Sequence, residues 1–156
     1  MEQSNSVTGF LSNFQFVTSR IIDISFHNES LYEIEDGCKK DIDLDYGNII
    51  ISESQKPLLG SVTLDINVNV ANEENHPAKL KYSIMGVFST TESDKVVDFE
   101  QMIKINGLAT LYSIARAHII AISSLTGIGP INIPMINVYE FVRCKNVVKP
   151  KPSDNL

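Results

Sequence analysis

The sequence predicts an α+β fold: a four-stranded antiparallel sheet packed with one long helix in the C-terminal half, followed by an extended, proline-containing crossover. Three observations predict it. Four runs before residue 90 alternate apolar and polar residues with period two, as strands that bury one face do. They precede a single run, Leu108 to Leu125, in which apolar residues recur at helical spacing. After it Gly127 and Gly129 end the helix, and Pro130 and Pro134 hold the next stretch extended because neither ring can continue helical hydrogen bonding.

In chain order, residues 1–12 are polar and expected to be flexible, residues 13–142 form one domain, and residues 143–156 are a polar, disordered tail broken by Pro150 and Pro152. The first strand, FQFVTSRIIDISFH, sets Phe14, Phe16, Ile22, Ile24 and Phe26 against Gln15, Ser19, Asp23, Ser25 and His27. Val17 and Ile21 break the alternation and point to a bulge or a second buried face. In KDIDLDYGNIII, Ile42, Leu44 and Tyr46 alternate with Asp41, Asp43 and Asp45. The aspartate spacing matches the start of a calcium loop, but the sixth position is Tyr46 where glycine is needed and the twelfth is Ser52. The reading is a solvated strand face.

The third strand buries Val62, Leu64, Ile66, Val68 and Val70, and the fourth buries Leu80, Tyr82, Ile84 and Phe88. Short polar turns between consecutive strands favour a meander. A helical turn within Asp98–Ile105 leads into the main helix, which is apolar on two faces: Leu108, Leu111, Tyr112, Ala115, Ile119 and Ile122 on one, Ile114, Ala121 and Leu125 on the other. Arg116 and His118 at its centre argue against a membrane span, where an arginine alone costs about 2.5–3.5 kcal/mol. With no basic, apolar leader at MEQSNS and two cysteines, Cys38 and Cys144, without metal or redox spacing, a cytoplasmic protein with free thiols is expected.

The chemistry-bearing motifs are missing. The chain contains no phosphate loop, no GxGxxG after a strand, no HExxH and no GxSxG. His27, His76 and His118 are scattered, so neither a metal, a cofactor nor an enzyme activity is expected. A net charge of −6 without a basic stripe argues against nucleic acid. What remains is apolar surface in excess of what a small sheet can cover, which calls for an oligomer or a partner.

The local strings resemble the SecB family of export chaperones, in order, from about Phe14 to Val142. FQFVTSRIIDISF resembles the family's opening strand, with its aspartate before Ile-Ser-Phe; IDLDY resembles Val-Lys-Leu-Asp-Leu, GVF resembles Gly-Ile-Phe, and SIAR resembles Pro-Tyr-Ala-Arg. PINIPMINV is similar to the proline-bounded crossover. The resemblance implies a homotetramer, a dimer of dimers with the Asn106–Thr126 helices at its interfaces, that holds unfolded preproteins in apolar grooves without ATP. The implied groove is lined by Ile42, Leu44 and Tyr46, by Leu111 and Tyr112, and by Ile131, Ile133, Met135, Ile136 and Val138. Docking of the SecA motor would fall to Asp23, since His27 and Lys81 stand where the family has glutamates. A divergent export chaperone and a chaperone dedicated to one client, such as an antitoxin, are both compatible with this pattern, as is a structural adaptor for one fixed partner.

Overall fold

The computed structural model describes residues 13–29, 39–54, 56–71, 78–90 and 95–147. Alternation builds the sheet as expected: along β4 (Leu59–Ala71) and β5 (Ala78–Ser89) the eight apolar residues from Val62 to Val70 and from Leu80 to Ile84, together with Phe88, all face one buried side. Two further long strands, β1 (Gln15–Asn28) and β2 (Lys39–Tyr46), flank this pair in the order β1-β5-β4-β2, every pairing antiparallel. The expected meander is therefore only partly present. The strands β2, β4 and β5 are successive neighbours, but β1 pairs with β5 at the far edge, giving a Greek-key arrangement. Alternation tells which face of a strand is buried and says nothing of which neighbour it takes.

The second alternating run is also split. It breaks at Gly47 and resumes as β3 (Ile50–Ser52), which pairs with β4 further along, so the sheet counts five strands. The Gly47 N–H still donates to Thr63 O at 2.9 Å, which keeps the interrupted ribbon on the β4 edge. In β1 the register slips twice, at Val17 and at Ile22. Each slip reverses which residues point inward, so Phe16, then Ser19 and Ile21, then Ile24 and Phe26 share the inner face. This is why Ile21 falls out of phase in the sequence. Asp41, Asp43 and Asp45 lie exposed on the outer face opposite Asn69, Asn67 and Asp65, and among the described residues no three metal-ligating side chains converge.

One continuous helical rod crosses the inner face: α1 (Val96–Met102), a π-helical turn at Ile103–Gly107, and α2 (Leu108–Ser124). Its apolar length would suffice for a bilayer, yet Phe99, Ile103, Leu108, Leu111, Ala115 and Ile119 are buried in the core it shares with the sheet. The approach is close because Gly86 lies beneath it; a Cβ there would come within 2.7 Å of the Leu111 side chain. At the far end Gly127 and Gly129 adopt φ of 81° and 85°, which ends the rod.

The expected disordered tail from residue 143 is corrected at its start. A third helix, α3 (Val138–Val147), replaces the end of the arm and the first residues of the tail. Asn137 caps it, accepting the Glu140 N–H at 3.2 Å, and Arg143 pairs with Glu140 at 2.6 Å. The helix is pinned to β2: Phe141 sets its ring edge-on to Tyr46 at 5.5 Å, and Lys145 lies 4.0 Å above that ring. Lys145 also donates to Tyr46 O and pairs with Asp45 at 2.6 Å, which holds the Asp45 carboxyl below its ordinary value. Cys144 is exposed and free; Cys38, His76 and residues 1–12 and 148–156 lie outside the described residues.

Beneath α2, the fully buried Tyr82 shares a 2.6 Å hydrogen bond with His118 Nδ1, and burial pushes the phenol up to about 12. The folded state thus favours the neutral phenol. Below pH 10 that form is held in both states and stability is level; as pH rises from 10 towards 12 the unfolded chain ionises first and stability falls, by about 3 kcal/mol at most. Urea midpoints at pH 9 and 11 should show this fall in the wild type and a smaller one in Tyr82→Phe.

Candidate functional site

The arm after the helix has no strand beside it, so its backbone must find partners elsewhere. Three side chains on α2 supply them. Ser123 accepts the Ile131 N–H at 2.7 Å while donating its own hydrogen to Ile119 O at 2.7 Å. Arg116 Nε donates to Ile133 O at 2.9 Å and extends a terminal nitrogen to Met135 Sδ at 2.7 Å. The Tyr112 hydroxyl donates to Pro134 O at 2.5 Å. Reading back along the helix from 123 to 116 to 112 takes the arm forward from 131 to 134, so the two run antiparallel. Burial raises the Tyr112 phenol, and the charge of Arg116 works the other way. An arginine on an apolar helix reads from sequence as a snorkelling or ion-paired residue; here it binds backbone.

This lacing sorts the expected groove residues. Ile131 and Ile133 alternate inward beneath the arm and, with Leu111 and Tyr112, belong to the core; Ile133 is 2% exposed. These four do not line an open groove. Tyr46 is likewise buried, against Phe141 and Lys145. The accessible members are Ile42 and Leu44 on β2, half-buried; Met135, 74% exposed beyond Pro134; and Ile136 and Val138, half-buried, the last being the first residue of α3 rather than part of the arm.

The rod packs chiefly on the two central strands, β4 and β5, and leaves the inner faces of both edge strands overhanging. On the β2 side the overhang is Ile42 and Leu44. On the β1 side it is Phe16, Ile21 and Ile24, all exposed, with the bulge residues Val17 and Ile22 beside them. This second apolar surface was not among the expected site residues, and its signal was the presence of apolar side chains in both phases of the first strand. The outer flank of α2 is a row of small exposed residues, Ser113, Ala117, Ala121 and Ser124, whose two hydroxyls already bond to carbonyls four residues back. Asp23 sits on the outer face of β1, 3.4 Å from Lys81.

No protein-family model matches the sequence, and no curated protein matches it. Solved structures do. A SecB-like chaperone of Mycobacterium tuberculosis, determined in complex with a ChAD peptide from the HigA1 antitoxin, matches with a TM-score of 0.62 and 11% identity over 80% of this chain and 91% of that one. A protein of unknown function from Streptococcus agalactiae matches with a TM-score of 0.48 and 11% identity over 78% and 97% of the two chains. At this identity the first match shows the fold alone: an antiparallel sheet with one long helix, shared with the SecB-like neighbour.

Proposed function

We propose that this protein is an ATP-independent holdase that binds extended, unfolded polypeptide on the apolar inner face of the sheet edge at β2. The observation that carries the reading is the overhang: Ile42 and Leu44 are apolar, face inward and are only half covered, on the strand to which α3 is pinned at Tyr46, and the chain leading into α3 presents Met135 and Ile136, with Val138 as the helix's first residue. The peptide bound by the SecB-like neighbour supports a polypeptide ligand. Burying ~1,000 Å² of client surface releases about 25 kcal/mol before ordering costs, which leaves room for micromolar to nanomolar binding through several shallow contacts.

Assembly follows from the same surplus. The β1 overhang and the small-residue flank of α2 suit burial against other copies, and a homotetramer would carry a total charge of −24 from four chains of −6, attracting basic unfolded segments. Docking on SecA is disfavoured, since the Asp23 carboxylate is already engaged by Lys81. The protein is proposed to be a chaperone dedicated to one client, acting in the cytoplasm; tight binding of the SecA tail, abolished by Asp23→Lys, would point to a general export chaperone instead.

Leu44→Asp should leave the fold intact and abolish suppression of aggregation of a chemically denatured test protein at stoichiometric ratio. Ile133→Asp, by contrast, places a carboxylate in the core and should unfold the chain. If both variants unfold, Leu44 is merely core. Arg116→Ala removes a charged hydrogen bond worth about 1.5–3 kcal/mol; hydrogen exchange should quicken at Ile133 and Met135 while β4 stays protected, and client affinity should drop. Light scattering at micromolar concentration should give four times the 17.3 kDa chain mass, and a stable monomer would refute the assembly.

A further inference from the structure

We propose that the outer face of the sheet, where β1 meets β5, is a second docking site, for an acidic polypeptide segment carrying a large apolar side chain. Thr18, Ser19, Arg20, Met85 and Val87 line a shallow hollow of about 250 Å³ there. The two register slips in β1 create it. Between them Thr18 stands opposite Val87 and Arg20 opposite Met85, both on the face turned away from α2; an unbroken strand would have turned Ser19 and Ile21 that way instead. The volume is smaller than the roughly 300–1,000 Å³ of pockets for small organic ligands, and it suits one anchoring side chain of a peptide. Its floor is apolar and adaptable, since Met85 and Val87 are half-buried and methionine repacks readily.

Charge selects the occupant. Further down the same face Lys81 pairs with Asp23 at 3.4 Å and the His27 ring hydrogen-bonds Glu29 at 3.1 Å, while Lys79 adds a second cation without an ion pair among the described residues. Arg20 makes no ion pair among the described residues, although the chain as a whole is acidic. A guanidinium at the lip of an apolar hollow fits a carboxylate flanking a leucine or phenylalanine, bound as a two-oxygen, two-nitrogen pair. A basic segment would meet Arg20 with like charge. The hollow lies on the opposite side of the sheet from the arm, so a segment held here leaves the inner overhang open.

The probe is a fluorescein-labelled acetyl-Glu-Asp-Leu-Phe-Glu-Asp amide, titrated into the full chain, with its Lys-for-acid counterpart as control. Methyl-labelled methionine spectra should show the Met85 resonance, assigned with Met85→Leu, moving with the acidic peptide and not with the basic one. Arg20→Glu and the hollow-filling, uncharged Val87→Phe, both with wild-type circular dichroism, should each weaken binding at least tenfold, while Arg20→Lys retains part of it. A saturating denatured client should not displace the peptide. A stationary Met85 resonance, equal binding by wild type and Arg20→Glu, or displacement by the client would each overturn the proposal, and only the last would implicate the inner groove.

Discussion

One α-helix about 10 Å across has to cover a sheet whose outer strand axes are about 14 Å apart, three inter-strand spacings of about 4.8 Å. Most of the molecule follows from that mismatch. The rod settles over β4 and β5, where Gly86 lets Leu111 approach the sheet, and so the inner faces of β1 and β2 remain uncovered. A second helix cannot fill both gaps. The chain's response is asymmetric: α3 and the arm partly shelter the β2 side, pinned through Tyr46, whereas the β1 side keeps Phe16, Ile21 and Ile24 open.

The arm shows how an extended segment can be held without a sheet. Two prolines remove backbone donors, and the Ile131 N–H and the Ile133 and Pro134 carbonyls are met by Ser123, Arg116 and Tyr112 along one flank of α2. Two of these side chains are themselves supported, Ser123 by the Ile119 carbonyl and Tyr112 by burial. Ile131 and Ile133 then act as pegs in the core, so the outward residues, Met135 above all, are presented from a fixed backbone. Apolar surface displayed on a rigid support can bind a disordered chain without a further ordering cost on the protein's side.

The two faces of the sheet divide the labour electrostatically. Inward, the edge strands offer apolar side chains. Outward, Asp41, Asp43 and Asp45 mark the β2 edge, and Arg20, Lys79 and Lys81 the β1–β5 edge, with Asp23 compensated within the second group. Charges on an exposed sheet face contribute little to stability, typically under about 1 kcal/mol per pair, so their arrangement bears on which partner is admitted.

By itself the sequence determined the local structure. Period-two and period-3.6 patterns record which side of each strand or helix is apolar, and so Val62 to Val70, Leu80 to Phe88 and Leu108 to Ile119 were legible, as were the helix end at Gly127 and the order of elements behind the SecB-like likeness. The capping of α3 was legible too, in Asn137 followed three residues later by Glu140, but the prolines further on masked it. Only the tertiary structure decided the rest. It put β1 beside β5, and it absorbed the phase breaks of β1 into two bulges. It also turned Arg116 from an expected snorkelling or interface ion-pair residue into a backbone clamp, and sealed Leu111, Tyr112, Ile131 and Ile133 in the core while leaving Ile42, Leu44 and Met135 accessible. The physical reason is that periodicity reports how apolar a side chain's surroundings should be, whereas accessibility depends on whether a distant element, here a rod narrower than its sheet, reaches far enough to cover it.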